Sequence, residues 1–397
     1  FFFSSRRRHT RCREVSWARD VYKRQRPLCA VPRCLLIFLQ AMADRGGVFV
    51  FYGHGYIPQI GEPIYGGLVK FQRMQEEFPN TPRGFNILYM VSSRIPYGGQ
   101  QIAWSAKRKG ARLVWNQNGV AYPAWCPQGW RQINDPLAKI HASADYIFYQ
   151  SKFCKISADR FLGKTQGQWE ILYNAVDTEK FTPRKEILKN DPLVLLLGGN
   201  QFAYYRVECA LKVLSLLVDR GVNAKLCITG RLGWRKLEYV ALAEVKELIR
   251  KLKLNGRVDF CGPYSQEDAP SILQKAHILL HTTVNDACPG LLVEALACGV
   301  PVVYSATGGV PELVGAEAGI GIPGELNWDV ITPPDSAAMA AATLTIAKNL
   351  TFYAGEARKR AVEKFDIRFW MSRHLSLIHI SEPTRPLYIS YAVFCLK

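Results

Sequence analysis

Residues 277 to 306 read HILLHTTVNDACPGLLVEALACGVPVVYSA. The opening HILLHTTV is an apolar run of the length a buried strand needs, GLLVEALACG has helical spacing closed by Gly299, and PVVYSA is another apolar run. Strand, helix and strand in so short a span make a parallel crossover unit. Two acids interrupt it: Asp286 in the strand-to-helix loop and Glu294 about one turn into the helix. Both fall at the carboxyl edge of a sheet, beside helix-start amides that suit an anion. Taken singly, each has a simpler reading, a helix-start acid and a surface glutamate. The pair is followed by GVPVVYSATGGVPELV, a strand, a glycine-rich turn and a third acid, Glu312, opening another helix, and this combination points to a ligand site.

The same alternation extends in both directions. Upstream, VFVFYG (48 to 53), NILYMVS (86 to 92) and ARLVWNQ (111 to 117) read as buried strands joined by helical stretches such as GGLVKFQRMQEEF. After the polar, proline-containing FTPRKEILKNDP (181 to 192), a second series begins with LVLLLGG, AKLCITG and RVDFCG, separated by helical runs. The expected fold is α/β, with two doubly wound, Rossmann-like domains facing across a cleft. The expected organisation is a first domain over 42 to 185, a second over 186 to 355 and terminal helices over 356 to 375 packing back on the first domain.

Composition sets the outer bounds. The 397 residues exceed what one core usually organises, and 48% are apolar. No apolar run reaches the length of a membrane helix. Residues 1 to 25 and 376 to 397 lack helical or strand period and resemble translated sequencing-adapter read-through; with Met42 as a natural start, 1 to 41 are set aside as a non-native or disordered extension and 376 to 397 as a non-native tail. They hold half of the +18 net charge, which leaves +9 on residues 42 to 375. That excess favours anionic partners, with peripheral contact to an anionic membrane as one option. KRKGAR (107 to 112) is the densest basic patch and also suits a solvated helix end. No aromatic-basic interleaving marks a nucleic-acid module, and no nucleic-acid partner is expected. RPLCAVPRCLLIFLQAMA (26 to 43) imitates a signal peptide, but Pro32 and Arg33 interrupt it. The seven cysteines of residues 42 to 375 are scattered singly, which argues against a disulfide framework or zinc site. The expected location is the cytoplasm, with the inner face of the membrane as a variant.

Residues 257 to 314 resemble the donor-binding half of family 4 glycosyltransferases, retaining enzymes of the GT-B architecture. The family pattern is glutamate, seven residues, glutamate, then Gly-x-Pro-Val-Val and a Gly-Gly-x-x-Glu turn; DACPGLLVEALACGVPVV fits it with Asp286 for the first glutamate. LYNAVDTEKFTP (172 to 183) resembles the family's interdomain segment, with Ala175 for a glycine. The resemblance implies that Glu294 accepts hydrogen bonds from the nucleotide's ribose hydroxyls, for which a carboxylate has the lone pairs. Asp286 falls near the donor sugar, one methylene shorter than usual. Pro289, Gly290 and Leu291 open the helix, and Gly262, Pro263 and Tyr264 resemble the base-contacting turn. Gly66 and Gly67 correspond to the Gly-Gly that lets backbone approach the phosphates.

Two further positions depart from the family. Asn200 stands where an arginine is usual, which leaves Arg206 and Arg231 as candidate diphosphate cations; each also reads as a surface cation along a helix or loop. Asn118 with Gly119 replaces a His-Gly step facing the sugar. No Asp-x-Asp triplet occurs in residues 42 to 375, so no metal and no other cofactor is expected. His54, His141 and His281 read as isolated structural histidines. The function implied is transfer of a sugar from a nucleoside diphosphate donor to a glycan, lipid or small acceptor, catalysed with Asp286, Arg206 and Asn118. A sugar-nucleotide epimerase and a non-catalytic sugar-nucleotide or polyanion binding protein stay open as alternatives.

Overall fold

The computed structural model describes residues 47–60, 62, 66–185 and 192–380. The expected N-terminal extension (1 to 41) and residues 381–397 of the expected tail lie outside the described residues.

Two parallel sheets organise the chain. The first contains β1 Val50–Phe51, β2 Ile87–Val91, β3 Arg112–Gln117, β4 Tyr146–Tyr149 and β5 Gln168–Ile171, side by side in chain order. Its crossovers are α1 Leu68–Met74, α2 Gly99–Arg108, α3 Trp130–Ser143 and α4 Lys152–Phe161. The second contains β6 Leu193–Leu197, β7 Ala224–Thr229, β8 Val258–Gly262, β9 Ile278–His281, β10 Val302–Ser305 and β11 Gly319–Ile322, in the spatial order β11-β10-β9-β6-β7-β8. Helices α5 Tyr204–Asp219, α6 Glu238–Lys251, α7 Ala269–Gln274, α8 Gly290–Ala297 and α9 Val310–Val314 connect these strands. Three more follow: α10 Ser336–Lys348, α11 Leu350–Lys364 and α12 Ile367–Ile380. Two Rossmann-like α/β domains, as the strand and helix periods predict, are what the chain forms.

Near-continuous apolar strands are what a sheet covered on both faces demands. Along β6, Leu193, Leu195 and Leu197 pack with α5 and α10, while Leu196 turns to the other face and joins Leu292, Val293 and Leu296 of α8. The winding of the second sheet reverses at β6, which has β9 on one side and β7 on the other. Loops leaving the carboxyl ends of β6 and β9 therefore diverge, and a crevice opens between them.

The chain crosses between lobes twice. At the two crossings Val176 pairs with Asp366, Val176 N donating to Phe365 O at 2.8 Å and Ile367 N to Val176 O at 2.9 Å. Arg358 of α11 binds three carbonyls there, those of Phe181, Ala297 and Thr178. Helix α11 packs on the second lobe through Ala357 and Ala361, whereas α12 lies on the first, where Trp370 is buried and His374 Nε2 meets the Tyr89 hydroxyl at 2.8 Å.

One expectation about cysteine is overturned. Cys227 of β7 is bonded to Cys261 of β8, their Cα atoms 6.5 Å apart. Register explains it: Ile228 faces Phe260 but Thr229 faces Gly262, so Cys261 is the extra residue of a bulge on β8. Among the described residues no helix is long and apolar enough to cross a membrane.

Candidate active site

Glu294 is the fifth residue of α8 and is part-buried, with Arg73 of the first lobe, Lys180 of the crossing segment and Tyr264 in its electrostatic neighbourhood. Its carboxyl accepts no hydrogen bond from a described side chain or backbone amide. Burial raises it from 4.5 to about 7, against the opposing charges of Arg73 from α1 and Lys180 from the crossing segment. Tyr264 stands beside it, its hydroxyl pushed up to about 12 first by burial and then by the Glu294 charge. A part-buried carboxyl without a protein donor is open to solvent or to the hydroxyls of a ligand.

Asp286 occupies the loop between β9 and α8. Its Oδ2 lies 3.2 Å from Nε2 of His281, the last residue of β9, so His281 is a partner of the acid rather than an isolated histidine. Asn285, just before it, takes a left-handed φ of 55° and is buried, its amide held by Thr307 Oγ1 at 2.9 Å. The Asp286 carbonyl accepts from Gly309 N at 2.8 Å, and a Cβ on Gly308 would lie 2.5 Å from that same carbonyl oxygen. The glycine pair of the GGVPE turn is thus required by the close approach of two loops.

Arg206, on the first turn of α5, donates from Nη1 to Asn200 O at 2.9 Å. Burial draws its guanidinium below its ordinary value, opposed by Tyr205 and by the charge of Asp286. The structure thereby brings Arg206 and Asp286 into one electrostatic neighbourhood. Gly198 leaves room for Leu291: a Cβ there would be 2.4 Å from Leu291 Cδ2. Leu291, Gly290 and the N-capping Pro289 therefore sit directly above the end of β6.

The first lobe meets this loop closely. A Cβ on Gly119 would lie 3.1 Å from Ala287 Cβ, which puts Asn118 at the crevice; its Oδ1 accepts from Gly119 N at 2.8 Å. Ser151 Oγ donates to Ala287 O at 2.7 Å. Glu312 reaches across to the start of α4, accepting from Lys152 N at 2.9 Å, Phe153 N at 3.1 Å and the Tyr173 hydroxyl at 3.1 Å. That carboxylate acts as a tie between lobes.

Other predicted residues stand further out. Arg231 is exposed, and its backbone N–H donates to Asn200 Oδ1 at 2.8 Å. Gly262 takes φ 66° and accepts from Gly230 N at 2.7 Å, with Pro263 following on the rim. Gly66 takes φ 63° with open space around it, and Gly67 caps a helix of only seven residues, packed so that a Cβ would strike Ser93 Oγ at 2.6 Å. His54 and His141 make local contacts, to Arg94 O at 3.1 Å and the Tyr149 hydroxyl at 2.7 Å. Sequence reasoning did not single out Lys70, Arg73, Asn174 or His281's partnership, because each depends on a contact made across loops or lobes.

Comparison with known proteins agrees with this geometry. Residues 178–362 match the family described as Glycosyl transferases group 1. Over those residues the second lobe is similar to that family. The gpi3 subunit of the Schizosaccharomyces pombe phosphatidylinositol N-acetylglucosaminyltransferase is 24% identical over 144 residues, 36% of this chain and 30% of that one. The putative colanic acid biosynthesis glycosyltransferase WcaL of Escherichia coli is 25% identical over 200 residues, covering 49% of this chain and 46% of its own. The chain thus spans less than half the length of these curated relatives. Among solved structures, Anabaena HepE in complex with UDP superposes with a TM-score of 0.61 at 16% identity, covering 79% of this chain and 81% of that one. At that identity the likeness shows the fold, which is GT-B: two Rossmann-like domains about a cleft.

Proposed function

We propose that this protein is a retaining glycosyltransferase of family 4, which moves a sugar from a nucleoside diphosphate donor to a carbohydrate or lipid acceptor. The observation that carries the proposal is Glu294: a part-buried carboxyl raised to about 7, with no donor of its own, where two ribose hydroxyls would satisfy it. Tyr264 would bound the nucleotide on that side. The start of α8, an eight-residue helix opened by Gly290 and Leu291, offers free amides to the diphosphate. Arg206 would neutralise charge that develops on the leaving diphosphate, and Asp286, whose Oδ2 lies 3.2 Å from His281 Nε2, would bind hydroxyls of the donor sugar. Asn118, at the facing edge, can hydrogen-bond a sugar but cannot take up a proton near neutrality. The acceptor would attack from the face the diphosphate leaves, with Ser151 and Glu312 holding the lobes together and water out.

Solved neighbours in complex with UDP make UDP-sugars the first donors to test. The proposal keeps the protein in the cytoplasm or at the inner membrane face, and the Cys227–Cys261 pair is the observation that weighs against that location.

Thermal-shift screening of UDP-, GDP- and ADP-sugars, followed by product analysis with and without acceptors, tests the reading. Protection by one donor that disappears in Glu294→Ala, with sugar transfer to an added acceptor, is expected. Conversion of donor alone to an isomer would make the protein an epimerase, and equal protection of both proteins would remove Glu294 from the site.

A further inference from the structure

We propose that Lys70 of α1 binds the donor diphosphate from the first lobe, supplying positive charge where Asn200 supplies none. The inference rests on the nucleoside diphosphate reading above. Lys70 follows the Gly66–Gly67 loop by three residues, and its Nζ donates to Asn174 Oδ1 at 2.5 Å. Asn174 donates in turn from Nδ2 to Cys288 O at 2.6 Å, and its backbone N–H lies 3.5 Å from Cys288 Sγ. Cys288 directly precedes Pro289, the cap of α8. The ammonium is thereby held where the first lobe meets the loop that carries Asp286 and opens α8. Arg73, one turn further along α1, lies 3.9 Å from Asp177 of the crossing segment, and its charge acts on Glu294.

Lys70 is part-buried at the meeting of the lobes with an amide, not a carboxylate, as its partner. Lys107, Lys155 and Lys212 pair with Asp145, Asp159 and Glu208 at 2.8, 2.5 and 2.9 Å. Among the described residues no carboxylate pairs with Lys70. The groups that act on it are the thiols of Cys288 and Cys154, both pushed upward by burial and so uncharged at neutral pH. Burial also draws the ammonium down to about 8. An ammonium has three N–H donors and one described acceptor is satisfied here, so a phosphate oxygen would provide both the missing counter-charge and a second acceptor. Phosphate on an acceptor has the same chemistry; the hydrogen bonds to the start of α8 favour the donor.

The test is calorimetric titration of wild type, Lys70→Ala, Lys70→Arg and Glu294→Ala with UDP and uridine, with the guanosine and adenosine pairs run alongside, and with glycerol 3-phosphate. The expected result for Lys70→Ala is a loss of about ten- to a hundredfold for the diphosphate and less than twofold for its nucleoside, with Lys70→Arg retaining most of the affinity. Equal weakening of diphosphate and nucleoside would overturn the proposal, because that is what loss of the Asn174 contact alone predicts. Loss confined to glycerol 3-phosphate would also overturn it and assign Lys70 to an acceptor. If wild type prefers no diphosphate over its nucleoside, or Glu294→Ala changes neither, the donor reading itself fails, and that outcome is separate from any effect of Lys70.

Discussion

Replacing Glu294 by glutamine should stabilise the unliganded protein at alkaline pH while abolishing donor binding. The carboxyl titrates at about 7 in the fold against 4.5 ordinarily. Between those values the folded protein holds a proton that the unfolded chain has released, so stability falls as pH rises through the window and the penalty is complete above it. A displacement of that size corresponds to about 3 kcal/mol at pH 8 and to under about 1 kcal/mol at pH 5. Glutamine resembles the protonated form at every pH and escapes the penalty. For a domain of this size the expected gain in Tm at pH 8 is about 5–10 °C, shrinking to a degree or two at pH 5. Differential scanning fluorimetry of both proteins at pH 5, 6, 7 and 8 measures it. Addition of donor at pH 8 should raise the wild-type Tm and leave Glu294→Gln unmoved, since the amide offers one acceptor oxygen in place of two. A Tm difference independent of pH would refute the reasoning, because it would mean that no proton is linked to folding at this residue.

Three further outcomes follow from the same contacts. Gly198→Ala would force a methyl to within 2.4 Å of Leu291 Cδ2, and should cost about 1–3 kcal/mol in urea unfolding while weakening donor affinity through the displaced start of α8; unchanged affinity would separate Leu291 from the site. Glu312→Ala removes the acceptor for two amides at the start of α4 and should cost about 1–2 kcal/mol, with sharply increased proteolysis at the crossing segments as the lobes part; protease resistance equal to wild type would show that the tie does not hold the lobes. His141 and His374 are held by burial at about 4 and about 3, so the unfolded chain takes up protons below pH 6.5 that the fold refuses, and each contributes a loss of about 1.4 kcal/mol per pH unit as pH falls from 6.5 toward 4. Urea midpoints of wild type and His374→Gln at pH 7, 6 and 5 should converge as pH drops; parallel profiles would refute the assignment.

How much of this was legible depends on distance along the chain. Strands β2, β3, β6, β7, β9 and β10 announce themselves as apolar runs, and the placing of Asp286 in a loop and Glu294 on a helix follows from local period alone. Strand β11 did not, because GIGI lacks the bulk by which a buried strand is recognised. Its glycine is needed for a reason the sequence hides: a Cβ on Gly319 would lie 2.1 Å from Val302 O on the neighbouring strand. Strand β5, QWEI, is an edge strand whose first two residues face solvent, so it carries no apolar run either. Single, scattered cysteines give no spacing signal for a disulfide; only the register that sets Cys227 opposite Asp259, two residues before Cys261 on the same face of β8, brings the two sulfurs together.

The candidate site divides along the same line. A motif can say that a carboxylate stands at a helix start, but whether it is spent on the fold or left for a ligand is decided by groups remote in sequence. Glu312 and Glu294 are eighteen residues apart and both open onto the same edge of one sheet. Glu312 is consumed by two amides about 160 residues away, and Glu294 has been left without a donor. Lys70 repeats the contrast for cations, tied to an amide 104 residues distant, whereas Lys155 and Lys212 find carboxylates one helical turn away and Lys107 finds Asp145. Buried charge is costly, and folded chains discharge it on a partner where they can. Glu294 on α8 and Lys70, linked through Asn174 to the residue before the cap of α8, stand on facing lobes without a carboxylate–cation pair between them among the described residues, and these are the two groups that the proposed donor would engage through its hydroxyls and its diphosphate.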